Sequence, residues 1–140
     1  MSLLRSLRIL VVDDQEDIRF IVVCLLEFNG AKVKSCESAD QALEILVKWR
    51  PDVIVSDIMM PDHDGYWLLR QIRQLQPGQG RETPAIALTS LNEDRAKALS
   101  GGFQIHMAKE NISDNLISAV KTLTDVATFT LRRTRSNELL

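Results

Sequence analysis

The run Asp52-Val53-Ile54-Val55-Ser56-Asp57, continued by Ile58-Met59-Met60-Pro61-Asp62-His63-Asp64-Gly65, decides the fold. Val53, Ile54 and Val55 are apolar without alternation, which suits a strand covered on both faces. Asp57 closes that strand with a carboxylate. A polar loop follows, then a helix-period segment carrying Leu68, Leu69, Ile72 and Leu75. A buried strand feeding a helix is one unit of a parallel sheet.

The unit recurs on both sides. Upstream, residues 8–12 form an apolar run closed by Asp13-Asp14. A helical pattern follows with Ile18, Ile21, Val22 and Leu25 on its stripe, and Asn29-Gly30 stops it. Residues 31–36 read as a weak strand, with Lys32 and Lys34 on one face as suits an exposed edge. Ser38 opens the next helix with Gln41 at capping-box spacing, and Ala39, Ala42, Leu43, Leu46 and Val47 form its stripe. Arg50-Pro51 ends it.

Downstream, Pro77-Gly78-Gln79-Gly80 is a break. The buried strand Pro84-Ala85-Ile86-Ala87-Leu88 ends at Thr89-Ser90. Ser90 and Glu93 again have capping-box spacing before a short helix, which Gly101-Gly102 stops. Residues 103–107 read as the last strand, with Lys109 just past it. Ile112, Leu116, Val120 and Leu123 mark the final helix. Strands alternating with helices predict an α/β domain whose parallel sheet carries helices on both faces. Residues 1–125 fit this domain. Residues 126–140 do not fit the alternation: Thr128-Phe129-Thr130-Leu131 favours extended structure and Arg132-Arg133-Thr134-Arg135 is basic. This tail reads as a helix extension or a linker stub.

The 140 residues are 45% hydrophobic, enough for a single core. With 17 basic and 19 acidic residues the net charge is -2, which argues against direct nucleic-acid or membrane-surface binding. No apolar run is long enough to span a bilayer. Cys24 and Cys36 sit in apolar periodic segments and read as buried free thiols of a reducing, cytoplasmic protein.

In an open parallel sheet, ligands bind beyond the carboxyl ends of the strands. Asp13, Asp14, Asp57, Thr89 and Lys109 all fall there, on different strands. Singly, each has an ordinary explanation: helix caps, a turn residue, a solvated lysine. Together they place three carboxylates, a hydroxyl and an ammonium around one depression. Crowded carboxylates repel, and a hard divalent cation such as Mg²⁺ relieves that. A carboxylate is also a competent nucleophile toward phosphorus, and phosphoryl transfer needs mainly positioning and charge neutralisation.

The Asp13-Asp14 pair, Asp57 with Met60-Pro61 and Asp64-Gly65, Thr89-Ser90 and Lys109 resemble the pattern of response-regulator receiver domains. The resemblance covers about residues 7–124. It implies a flavodoxin-like (βα)5 fold with strand order 2-1-3-4-5. It implies Asp57 as phosphoacceptor, with Thr89 and Lys109 contacting the phosphoryl group. Asp13 and Asp14 would be the metal-site acids, and Mg²⁺ would be bound directly by Asp14, Asp57 and the Met59 backbone carbonyl. Gly65 would allow a tight turn. The donor would be a histidine kinase or a phosphotransfer protein, and the chain would act on itself only, without turnover.

Two departures stand out. The family usually has a proline after the lysine, in a cis peptide; here Glu110 follows Lys109, and a trans bond is expected because a cis bond there costs about 3 kcal/mol. The switch position in the last strand, commonly Tyr or Phe, is His106, and residues 102–109 are similar to receivers of hybrid histidine kinases. Gln104-Ile105-His106 lacks the acidic pair used for charge-paired dimers, which leaves a weak apolar homodimer open. In the family, the side chains two residues after the phosphoacceptor and two after the threonine flank the path of the hydrolytic water. Here these are Met59 and Leu91, which orient no water and predict slow phosphate loss. Competing readings are a receiver-like interaction module that works without phosphorylation, an aspartyl-phosphate phosphohydrolase and a flavin carrier. The phosphohydrolase would want an Asp-x-Asp pattern, whereas the first strand ends Asp13-Asp14-Gln15. The flavin carrier would want a Gly- and hydroxyl-rich loop there. No DNA-binding domain fits in the remaining residues, so the chain reads as a stand-alone receiver or one cut from a larger kinase or regulator.

Overall fold

The computed structural model describes residues 3–90 and 95–138, without the side chains of residues 95 and 126–138. The elements run β1 (Arg8–Val12), α1 (Glu16–Phe28), β2 (Lys32–Cys36), α2 (Ala39–Trp49), β3 (Val53–Asp57), α3 (Gly65–Arg73), β4 (Ala85–Thr89), α4 (Arg95–Ser100), β5 (Ile105–Ala108) and α5 (Ile112–Glu138). A 3-10 turn, Lys109–Asn111, joins β5 to α5. All strand pairs are parallel, in the order β2-β1-β3-β4-β5.

The strands alternate between two cores. Leu10, Val12, Ile54, Ala85 and Ala87 pack with α2, α3 and Phe103 on one face. Ile9, Val11, Val53, Val55, Ile86 and Leu88 pack with α1 and α5 on the other. Double coverage explains why β3 and β4 are buried at every position and carry no polar alternation. β2 lies at an edge, and Lys32 and Lys34 are exposed on it.

Local signals mostly hold. Ser38 caps α2, its hydroxyl accepting from the Gln41 amide at 3.2 Å. The Gln41 side chain reaches past the cap to the Glu37 amide. Asp13 and Asp14 do not cap α1, whose first flanking residue is Gln15. The caps of α4 fall partly on residues 91–94, outside the described residues. The Lys109–Glu110 bond is trans, as expected.

Three local expectations are corrected. Ile21 is exposed, because the buried face of α1 is centred on Val22 and Leu26. Cys24 is exposed for the same reason. β5 begins at Ile105, since Phe103 turns into the core on the α3 side. The tail, read as a helix extension or a linker stub, continues α5 through Glu138 despite the extended preference of Thr128-Phe129-Thr130-Leu131. Each residue added to an existing helix gains one hydrogen bond, and strand propensity is the weaker influence.

Gly65 ties α3 to the end of β3. A Cβ there would lie 2.6 Å from the Asp57 carbonyl oxygen and 2.9 Å from the Ile58 Cα. The Gly65 amide donates to the Ile58 carbonyl at 2.8 Å. Close backbone approach, rather than a left-handed turn, is therefore why glycine is needed. Gly65→Ala should cost about 1–3 kcal/mol by overpacking and shift Asp57. Chemical denaturation and the affinity of the acidic cluster for Mg²⁺ check both effects.

Candidate functional site

The strand register brings the site together. Val12 pairs with Ser56 and Asp57 with Leu88, so the ends of β1, β3 and β4 stand level. Asp13 follows β1 and is fully buried, and Asp57 ends β3 with only 4% exposure. Asp14 is exposed. Carboxylate oxygens of Asp13, Asp14 and Asp57 lie within 4.8 Å of one another. Lys109 reaches in from the 3-10 turn, its Nζ 3.3 Å from Asp13 Oδ2 and 3.4 Å from Asp57 Oδ2.

Asp13 Oδ1 accepts from the Gln15 amide at 2.9 Å. Asp13 Oδ2 is buried and takes no hydrogen bond, although Lys109 is within ion-pair reach. An acceptor-only oxygen left so, beside two further carboxylates, suits a hard divalent cation. Asp57 shows the same frustration. Burial, and then the negative charge of Asp13, push its pKa up from 3.8 to about 7, and Lys109 opposes them.

A shallow depression of about 220 Å³ opens over these groups, lined by Asp14, Gln15, Asp57, Met59, Ser90, Lys109 and Glu110. Met59 stands at its rim, 63% exposed. Leu91 lies outside the described residues, so its side of the water path is not placed. Thr89 is buried at the end of β4, but its hydroxyl turns toward β5. His106 sits on β5 within hydrogen-bond reach of it, 2.7 Å from Oγ1 to Nε2. Asp13, Asp14, Asp57 and Lys109 thus converge, whereas Thr89 and His106 form a separate pair one strand away.

Gln15 was missed by sequence reasoning. Its side-chain oxygen accepts from Lys109 Nζ at 2.8 Å, which helps to aim the ammonium. Its place directly after the acidic pair was the available signal.

The family model of the response regulator receiver domain matches residues 9–121. The chain belongs to the response regulator receiver family. This receiver is 40% identical over 111 residues to an uncharacterised 14.6 kDa protein of Leptolyngbya boryana, covering 78% of this chain and 83% of that one. It is 33% identical over 135 residues to response regulator MprA of Mycobacterium tuberculosis, covering 95% of this chain. It spans about half, 54%, of that relative's length. Among solved structures it resembles the signal receiver domain of a histidine kinase from Syntrophus aciditrophicus, at 32% identity and a TM-score of 0.77, covering 86% of this chain and 91% of that one. The flavodoxin-like topology and the two-component signalling class expected from the sequence both stand.

The raised pKa of Asp57 makes a stability prediction. Unfolded, this carboxyl ionises near 3.8; folded, near 7. Its charge therefore costs stability progressively as pH rises between those values, and fully above them. Asp57→Asn should stabilise the metal-free receiver at pH 8, with a gain that shrinks toward pH 4. Melting temperatures across that range check it, and a gain independent of pH would contradict it. Mg²⁺ should raise the melting temperature of the native protein more than that of the variant.

Proposed function

We propose that this receiver is a phosphoacceptor switch in which Asp57 takes a phosphoryl group from a phosphohistidine donor with Mg²⁺ present. The observation that carries the reading is the convergence of Asp13, Asp14 and Asp57 within 4.8 Å, with Lys109 bridging two of them. An Asp57 carboxylate oxygen attacks phosphorus, an acyl O–P bond forms as the donor's N–P bond breaks, and the leaving imidazole takes a proton. Asp57 needs no general base, only its ionised form. Lys109, aimed by Gln15, neutralises charge on the transferring oxygens. Asp13, Asp14, Asp57 and the Met59 carbonyl would hold Mg²⁺, which lowers the repulsion among the acids and screens the incoming phosphoryl group. Thr89 would donate its hydroxyl to the phosphoryl group once turned toward it, and His106 would change with it. The chain modifies only itself, so it is a signalling module and not a turnover enzyme.

A protein donor must cover the depression to deliver its phosphoryl group. α1 starts beside the depression and presents Phe20, Ile21, Cys24 and Phe28 outward along one arc, with Phe20 69% and Phe28 79% exposed. This apolar row suits the docking of a histidine kinase or phosphotransfer protein. A reducing, cytoplasmic setting fits the two free thiols. No helix among the described residues is long and apolar enough to cross a membrane. We assign residues 1–125 to the receiver unit and residues 126–140 to a C-terminal tail or linker stub, the described part of which, to Glu138, continues α5.

Acetyl phosphate with Mg²⁺ should add one phosphoryl mass, and Asp57→Asn should abolish it. Asp13→Asn and Asp14→Asn should weaken Mg²⁺ dependence at least tenfold. Labelling of Asp57→Asn at the native level would refute the assignment, and no labelling of the native protein would favour an interaction module that works without phosphorylation. Phe20→Ser should accept from acetyl phosphate at the native rate, yet at least tenfold more slowly from any phosphorylated kinase that labels the native protein. For lifetime, Met59→Asn with Leu91→Glu should speed phosphate loss about 10- to 100-fold, equivalent to roughly 1–3 kcal/mol of barrier. Equal decay of native and double variant would discard that explanation.

A further inference from the structure

Glu110 lines the depression with Asp14, Asp57 and Lys109, yet has no part in the phosphoacceptor reading. Asp57 forms the floor, only 4% exposed, whereas Glu110 is exposed at the rim. The 3-10 turn Lys109–Asn111 carries both Lys109 and Glu110. Lys109 Nζ is taken up inside by Asp13, Asp57 and Gln15. Among the described residues, no cation or hydrogen-bond donor pairs with the Glu110 carboxylate. Four carboxylates, those of Asp13, Asp14, Asp57 and Glu110, thus stand at the depression against one ammonium. A divalent cation and Lys109 together offset the three carboxylates of the cluster. The charge at the rim remains.

In-line transfer puts the leaving group opposite the attacking Asp57 oxygen. With Asp57 on the floor, the leaving group departs through the mouth, past Glu110. In every case an Asp57 oxygen makes the new bond to phosphorus. From an acyl phosphate the P–O bond breaks, its electron pair goes to the acyl oxygen, and a carboxylate anion leaves. From a protonated N-phosphoryl donor the P–N bond breaks, its pair goes to nitrogen, and a neutral amine or imidazole leaves. Negative charge therefore grows beside the rim in the first transition state, and residual positive charge lies there in the second. The charge of the phosphoryl group itself is common to both donors. A depression of about 220 Å³ keeps Glu110 within a Debye length, about 10 Å at 0.1 M salt, of whatever reacts in it.

We propose that Glu110 is a specificity-determining residue that sets the class of phosphodonor. Its carboxylate at the mouth favours N-phosphoryl donors, whose leaving nitrogen is protonated, over acyl phosphates, whose leaving group is an anion. The proposal rests on Asp57 being the phosphoacceptor. It deepens that reading by giving the chain its own reason to take phosphohistidine in preference to small acyl phosphates. The family's usual proline carries no charge at this place, so the preference belongs to this chain.

Acetyl phosphate and phosphoramidate are the probes, on the full chain with saturating Mg²⁺. The readout is the ratio of their second-order labelling rates at Asp57. Glu110→Gln should shift that ratio about 3- to 10-fold toward acetyl phosphate, the range for removing one charge several ångströms from the leaving group at a water-facing rim. Glu110→Asp keeps the charge and should stay near the native ratio. Glu110→Lys should move it further in the direction of Glu110→Gln. A defect in folding or in cation binding slows both donors alike and cancels from the ratio. Raising salt from about 0.01 to about 1 M shortens the Debye length from about 30 to about 3 Å, and should carry the native ratio toward that of Glu110→Gln. An unchanged ratio in Glu110→Gln, a shift toward phosphoramidate, a shift that Glu110→Asp shares, or a native ratio indifferent to salt would overturn the proposal alone. A native protein labelled by neither donor would overturn the phosphoacceptor reading, and this proposal with it.

Discussion

The rest of the site depends on the enforced closeness of Asp13 and Asp57. Their strands pair side by side in the middle of a sheet covered on both faces. Neither carboxylate can retreat into solvent without breaking the register that packs Val11, Val55 and Leu88 into one core. Two charges at this separation repel by about 3 kcal/mol at an effective dielectric constant of about 20. Lys109 is the opposing charge, and Gln15 steadies it. The residual imbalance appears as the raised pKa of Asp57 and as the unbonded Oδ2 of Asp13. A receiver that binds a cation and an anion in turn needs such an imbalance. A fully satisfied cluster would have little to gain from either.

That constraint also explains why the fold was legible. β1, β3 and β4 are central, so both faces of each are buried, and the sequence shows them as unbroken apolar runs ending in polar residues. The chain cannot hide a carboxylate within such a run, so the acids stand where the strands stop. Asp13, Asp14, Asp57 and Lys109 were readable because strand ends in a parallel sheet must meet, whatever their separation along the chain.

Less regular features escaped for physical reasons. Ile21 and Cys24 satisfy helical periodicity, but the stripe of α1 is narrow and centred on Val22 and Leu26. Periodicity finds apolar faces and does not say which of two adjacent arcs meets the core. Phe103 looked like strand because aromatics favour strands, yet it fills a space beside Tyr66 that Gly101-Gly102 lets the chain reach. The role of Gly65 was read as turn chemistry, whereas its reason is the approach of another backbone, which no local pattern encodes. The direction of the Thr89 hydroxyl was equally hidden, since a rotamer depends on a partner seventeen residues away.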